Sequence, residues 1–206
     1  MYLSFREKAI VYGIILGDGY LQATGEKNAR LRLEHGIKQK DYLIWKVKQL
    51  PSLFLGRPKF LKRVHPITKM TYSYVRHQSN STPFLGKLRK VFYPDGVKII
   101  PPNLKKFLNH PLVLAVWYMD DGYYSRKPDD RTSYLYLGKV SRQEAETAKT
   151  ALKDRFALET SVVDKKDKGM ALRFFAKDSK RLGEIIGKYI LPLFSYKLFD
   201  PVTTCS

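Results

Sequence analysis

Two apolar runs of helix length end on the same three residues. Residues 11–21 read Val-Tyr-Gly-Ile-Ile-Leu-Gly-Asp-Gly-Tyr-Leu and residues 114–124 read Leu-Ala-Val-Trp-Tyr-Met-Asp-Asp-Gly-Tyr-Tyr, each closing on Asp-Gly-Tyr. Ser4, with Glu7 three residues on, predicts a capped start for the first helix, which runs through Leu16. Beyond Gly19 the pattern turns to alternation: in Arg30-Leu31-Arg32-Leu33-Glu34 the leucines face a core and the charged residues face outward. Lys40 to Leu50 has helical periodicity, Pro58–Val64 and Met70–His77 read as strands about a Pro-Ile-Thr-Lys turn, and a helix follows over Pro83–Phe92. Tandem prolines, Pro101 and Pro102, block a helix in the next loop.

The same order then repeats. A helix ends at Asp121-Gly122 and strands lie around Thr132–Val140. Ser141 and Glu144 cap a helix to Phe156, strands lie near Ser161–Asp164 and Ala171–Ala176, and a helix over Ser179–Ile190 precedes a tail at Leu191-Pro192. Each half reads αββαββα, so the fold class is α+β with two pseudo-symmetric halves, residues 1–100 and 101–206, joined in the loop region 94–110.

Composition narrows the partners. The 206 residues are 44% hydrophobic and 13% aromatic, enough for a packed core in one domain or two fused halves. Lys and Arg total 38 against 19 acids, a net charge of +19, which points to a polyanion, although a merely soluble basic protein would share it. The one cysteine, Cys205, excludes a disulfide framework and a cysteine zinc site and suggests an intracellular protein. The apolar stretch Ala9–Gly17 is short for a signal sequence and no uncharged run reaches membrane-spanning length, so a soluble chain with no membrane partner is expected. There is no phosphate-binding glycine loop, no nucleophile elbow and no His/Cys cluster; His35 and His77 flank strands and read as structural or phosphate-contacting.

The paired acids carry the chemistry. Asp18 and Asp121 stand 103 residues apart, half the chain. An acid at a helix C-terminus meets bare carbonyls and the negative end of the dipole, an unfavourable placement that this chain makes twice. One such Asp-Gly is an ordinary helix stop; two in equivalent places point to a site. Gly13 and Gly17 share a helical face, and packing them against the region of Ala115 brings the two helix ends together. Close carboxylates repel unless a proton or cation intervenes, and carboxylate, carbonyl and water oxygens suit Mg²⁺. Such a centre hydrolyses phosphodiesters, with a lysine to organise water or offset charge; spacing alone does not choose the lysine.

These residues resemble the LAGLIDADG homing endonuclease family in its single-chain, two-motif form. The resemblance covers nearly the whole chain and rests on Gly13-Ile14-Ile15-Leu16-Gly17-Asp18-Gly19-Tyr20, Trp117-Tyr118-Met119-Asp120-Asp121-Gly122, Lys98-Ile99-Ile100-Pro101, and Leu191-Pro192 with Tyr196-Lys197-Leu198. It implies halves packed through the motif helices, with antiparallel sheets forming a saddle over DNA. It implies metal binding by Asp18 and Asp121 with Gly17 and Asp120 beside them, and catalytic roles for Asp18, Asp121, Lys98 and Lys197. Aligning Ile99-Ile100-Pro101 with Ile190-Leu191-Pro192 would instead match Lys98 to Lys188. The second motif departs from the pattern, with Val116 for a glycine and Asp120 for a small residue, which puts the helix contact in question.

The implied cofactor is Mg²⁺, two or three divalent ions, with Mn²⁺ substituting and Ca²⁺ binding without supporting cleavage. Outward strand positions nominate DNA contacts at Gln22, Arg30, Arg32, Glu34, Tyr72, Tyr74 and Arg76, and at Tyr123, Ser125, Tyr134, Tyr136, Lys139, Lys165 and Arg173. The implied activity is site-specific double-strand DNA cleavage by a monomer at a long asymmetric target, leaving 3′ overhangs. The Met start without flanking splicing sequence suggests an intron-encoded enzyme, in an organelle (mitochondrion or chloroplast) or a prokaryotic cytoplasm. Two alternatives remain at this point: a maturase binding group I intron RNA to assist splicing, and a non-catalytic DNA-binding regulator.

Overall fold

The computed structural model describes residues 2–127 and 130–199, so Cys205 lies outside the described residues. The chain forms two compact units: residues up to Ile10 with Asp18–Lys98, and Val11–Gly17 with the chain from Ile99 onward. The first carries α1 (Phe5–Leu16, its second half counted with the other unit), β1 (Tyr20–Ala23), β2 (Ala29–Gly36), α2 (Lys40–Lys48), β3 (Lys59–Val64), β4 (Thr71–Gln78) and α3 (Pro83–Phe92). The second carries α4 (Pro111–Asp121), β5 (Gly122–Tyr124), β6 (Ser133–Gly138), α5 (Arg142–Phe156), β7 (Thr160–Asp164), β8 (Met170–Phe174) and α6 (Ala176–Ile186). The αββαββα order holds in both. Each unit has one antiparallel four-stranded sheet, ordered β1-β2-β4-β3 and β5-β6-β8-β7.

Local chemistry sets the ends. Ser4 and Glu7 close α1 with a reciprocal pair, the Ser4 N–H donating to Glu7 Oε2 at 2.8 Å and the Glu7 N–H to Ser4 Oγ at 3.2 Å. Ser141 and Glu144 do the same for α5, and Glu144 Oε1 also accepts the Ile100 N–H at 2.9 Å, which ties down the proline loop. Pro111 starts α4 behind His110, whose Nδ1 accepts from the Leu112 N–H at 3.1 Å.

The boundaries of the last helix move. The last helix begins at Ala176, not Ser179, and gives way to a 3₁₀ turn at Gly187–Tyr189. Ser179 is buried inside that helix; its hydroxyl donates to Phe174 O at 3.0 Å and accepts the Ser133 N–H at 2.8 Å, joining the helix to two strands.

Strand alternation places the cores. Along β2, Ala29, Leu31 and Leu33 are buried while Arg30, Arg32 and Glu34 face the other side of the sheet. In the second unit Leu135 and Leu172 are fully buried. Every residue of α4 from Leu112 to Met119 is buried. Among the described residues no helix is long and apolar enough to cross a membrane.

Within the second unit, the end of α1 lies against α4 through its glycines. A Cβ on Gly13 would stand 2.6 Å from Val116 Cβ and 2.7 Å from the Val113 carbonyl, and one on Gly17 would stand 2.7 Å from Asp120 Cβ. The contact is therefore with Val113 and Val116, on either side of Ala115, and with Asp120 one turn on. The two departures in the second motif, Val116 and Asp120, are the residues that fill the space the glycines leave. Gly13→Ala should lower stability by about 1–3 kcal/mol in chemical denaturation, although the same change in an unpacked helix would raise it. An unchanged or raised midpoint would show that the two backbones are not held this close.

Candidate active site

In the first unit Asp18 follows the end of α1 with its side chain 48% exposed. The backbone just beyond is pinned: the Tyr93 hydroxyl donates to Gly19 O at 3.5 Å and the Arg89 guanidinium donates to Leu21 O. His35 continues the buried side of β2, and its Nδ1 lies 3.8 Å from Asp18 Oδ2. Its Nε2 lies 3.1 Å from Nζ of Lys46, a fully buried lysine. Neither His35 nor Lys46 belongs to the acid-and-lysine set expected from sequence. The signal for His35 was its place in the buried series of β2; nothing in α2 marks Lys46 as the inward-turned lysine.

In the second unit Asp120 and Asp121 end α4 and, with Gly122, Tyr123, Tyr136 and Lys168, line an open concavity of about 620 Å³. Lys197 closes the helix from behind. It is 8% exposed, and its Nζ donates to the carbonyls of Met119 at 2.7 Å and Asp120 at 3.1 Å. The Tyr118 hydroxyl donates to Lys197 O at 2.9 Å and holds the lysine backbone in turn; burial raises the Tyr118 pKa and keeps it protonated. Lys188 is exposed over the Tyr189 ring and does not reach this helix end. Lys98 is half-buried just before the proline loop.

The residues fit a hard divalent ion. Asp18 presents a solvent-accessible carboxylate, and Asp120 and Asp121 border an open cavity beside helix-end carbonyls.

The nominated strand residues divide into presented and sequestered groups. Opposed pairs Gln22–Arg30, Arg32–Gln78, Glu34–Arg76 and Arg63–Tyr72 build one face of the first sheet. Glu34 organises its arginines: Arg63 Nη1 lies 2.7 Å from Glu34 Oε1, Arg63 Nη2 donates to Oε2 at 2.9 Å, Arg76 Nε donates to Oε2 at 2.5 Å, and Arg32 stands 3.4 Å away. Arg63 also lies over the Tyr74 ring at 4.9 Å, and Tyr72 is exposed. Arg63 was not nominated from sequence, because only the strand register brings it to Glu34.

On the second sheet Tyr123 is exposed, Tyr136 half-buried and Lys139 exposed. Tyr134 is 8% exposed, lying beneath Lys165 at 4.2 Å, and Arg173 contacts Asp130 at 3.3 Å. Ser125 is 3% exposed, because β5 stops at Tyr124 and the alternation does not extend to it. Its outward placement is therefore corrected: Ser125 is buried.

An acid at or just after the end of each motif helix, followed each time by an antiparallel sheet, defines a two-motif α+β fold. Residues 8–182 match the LAGLIDADG DNA endonuclease family, and the chain belongs to that family. It is 26% identical over 199 residues to probable intron-encoded endonuclease 1 of Wickerhamomyces canadensis, covering 95% of this chain and 85% of that protein. It is 30% identical over 209 residues to the protein RecA of Mycolicibacterium flavescens, covering 95% of this chain but 47% of that protein. The chain thus spans about half the length of several curated relatives it matches. The structure of the homing endonuclease I-WcaI bound to its DNA recognition sequence superposes with a TM-score of 0.87 at 25% identity, over 97% of this chain and 89% of that one.

Burial alone would raise the Glu34 pKa, but hydrogen bonds and charge from Arg63 and Arg76 outweigh it and hold it at about 2, against 4.5 for a free glutamate. A depressed folded-state pKa contributes stability that is present above pH 4.5 and lost as pH falls toward 2. Glu34→Gln should flatten the fall in stability across that window and lower stability at neutral pH. An unaltered acid profile would mean the arginines do not depend on Glu34.

Proposed function

We propose that this chain is a site-specific, divalent-metal-dependent DNA endonuclease. The observation that carries the reading is the repeated placement of an acid at the end of a motif helix, Asp18 after α1 and Asp121 at the end of α4, in a LAGLIDADG chain. Support for DNA as substrate comes from the likeness to I-WcaI, whose structure is bound to its DNA recognition sequence, and from the net charge of +19.

Asp18 in one unit, and Asp121 with Gly17 and Asp120 in the other, would be the residues that hold Mg²⁺. When bound, such an ion would supply phosphate polarisation, an acidified water and stabilisation of the leaving oxygen. The chain's own residues do the rest. Lys197 offsets the negative helix end at which the two adjacent acids sit. Lys98 is the matching basic group of the first half. The arginines held by Glu34, with Tyr72, Gln22 and Arg30, contact the backbone and base edges of a duplex, as Tyr123, Tyr136, Lys139, Lys165 and Arg173 do in the other unit. One strand is cut by each acid-centred half, leaving 3′ overhangs, and the chain acts as a monomer.

Discrete double-strand cuts in the uninterrupted host locus, dependent on Mg²⁺ and stopped by EDTA, are the expected result. Asp18→Asn and Asp121→Asn should each abolish cutting while DNA binding in a shift assay persists; normal cutting by either variant sinks the metal assignment. Preference for intron RNA without DNA cutting would favour a maturase instead. Lys98→Gln and Lys197→Gln should each slow single-turnover cleavage by about a hundredfold, with little change in DNA affinity. Wild-type rates would remove the lysines from the chemistry.

A further inference from the structure

Strand β2 buries Ala29, Leu31 and Leu33, and the next residue in that series is His35, 5% exposed. The ring is engaged on both nitrogens, with Lys46 Nζ at 3.1 Å from Nε2 and Asp18 Oδ2 at 3.8 Å from Nδ1. Lys46 is 0% exposed; its Nζ also stands 4.1 Å over the Tyr42 ring, which tilts against His35 at 5.3 Å. On the same helix Lys40 and Lys48 stay exposed, as lysines ordinarily do. Turning an ammonium fully inward costs desolvation that a leucine or methionine filling the same space would not incur. Packing alone gives no reason for a lysine here.

An ammonium carries three donors and no acceptor, so a lysine facing Nε2 requires that nitrogen to accept. The ring proton then sits on Nδ1, the nitrogen that faces Asp18. We propose that Lys46 is a positioning residue: it fixes His35 in the Nδ1–H tautomer, and His35 then directs a donor at one oxygen of Asp18 and leaves the other oxygen turned to its ligand. The last step rests on the reading of Asp18 as a metal-binding acid. Outer partners of this kind set the orientation of a ligating group, and losing one weakens metal affinity by roughly 10–100-fold. At 3.8 Å the Nδ1–Asp18 contact is longer than a hydrogen bond, so His35 acts as a dipole aimed at the carboxylate.

The test is long-range ¹H–¹⁵N correlation NMR on the metal-free full chain, which reads the tautomer without any activity. His35 is assigned by the signal missing in His35→Gln. The expected wild-type signature is Nδ1–H for His35; Nε2–H there overturns the proposal before any variant is made. Lys46→Met should lose the Nδ1–H signature and Lys46→Arg should keep it, whereas an unchanged tautomer in a folded Lys46→Met would reduce the lysine to a space-filling stem. Calorimetric titration with Mn²⁺ supplies the second arm. Lys46→Met should bind about tenfold more weakly, with Lys46→Arg near wild type, while DNA affinity holds in all three. Unchanged Mn²⁺ affinity in Lys46→Met, together with a large loss in Asp18→Asn, overturns the relay alone. Unchanged affinity in Asp18→Asn overturns the metal reading of Asp18, and leaves the tautomer assignment to stand or fall on the NMR.

Discussion

Placing a carboxylate at the C-terminal end of a helix is the constraint around which this structure is arranged. The last carbonyls of a helix have no partners within it and carry the negative end of its dipole, so an ionised acid there is opposed from the start. Water could relieve the conflict at an exposed end. Here α4 is buried from Leu112 to Met119, and relief comes from the protein: Lys197 places its ammonium on the Met119 and Asp120 carbonyls at 2.7 and 3.1 Å. The lysine is held in turn by the Tyr118 hydroxyl on its own carbonyl. A short C-terminal segment is thereby fastened to the motif helix by the same groups that make its acidic end tolerable.

The first unit meets the same constraint differently. Asp18 has a histidine at 3.8 Å, and the buried cation, Lys46, stands behind that histidine. A direct lysine neutralises helix-end carbonyls; a lysine behind an imidazole orients that ring. The two halves share an order of elements and an acid at the same place, yet their electrostatic surroundings differ. Chain duplication in a single polypeptide permits this, because each half can change without the other.

Much of this was legible in the sequence because it follows from local rules. The capping pairs Ser4–Glu7 and Ser141–Glu144, the proline that opens α3, and the alternation of β2 each act over a few residues, and each element appears where those rules put it. What escaped depends on tertiary partners. Ser179 has the composition of a helix start, but its hydroxyl is committed to Phe174 and Ser133, so the helix begins a turn earlier. Ser125 continues the outward parity of Tyr123 on paper, but the strand has ended by then. Lys46 sits among other lysines on an amphipathic helix, and only the packing of α2 on β2 reveals which one turns inward.

The same distinction bears on the basic surface. A net charge of +19 says only that a polyanion is favoured, since a freely moving lysine attracts any phosphate. Selectivity asks for cations held in fixed directions, and Glu34 supplies that. One carboxylate receives Arg63 from β3 through two nitrogens and Arg76 from β4 through its Nε, across the β2-β4-β3 order of the sheet. Two guanidiniums bound to one acid give up some attraction for phosphate, and in return their unbound N–H groups point in set directions at little entropic cost. An acid in the middle of a basic sheet would be a liability if charge alone mattered. It becomes an asset where the orientation of the arginines matters more than their number.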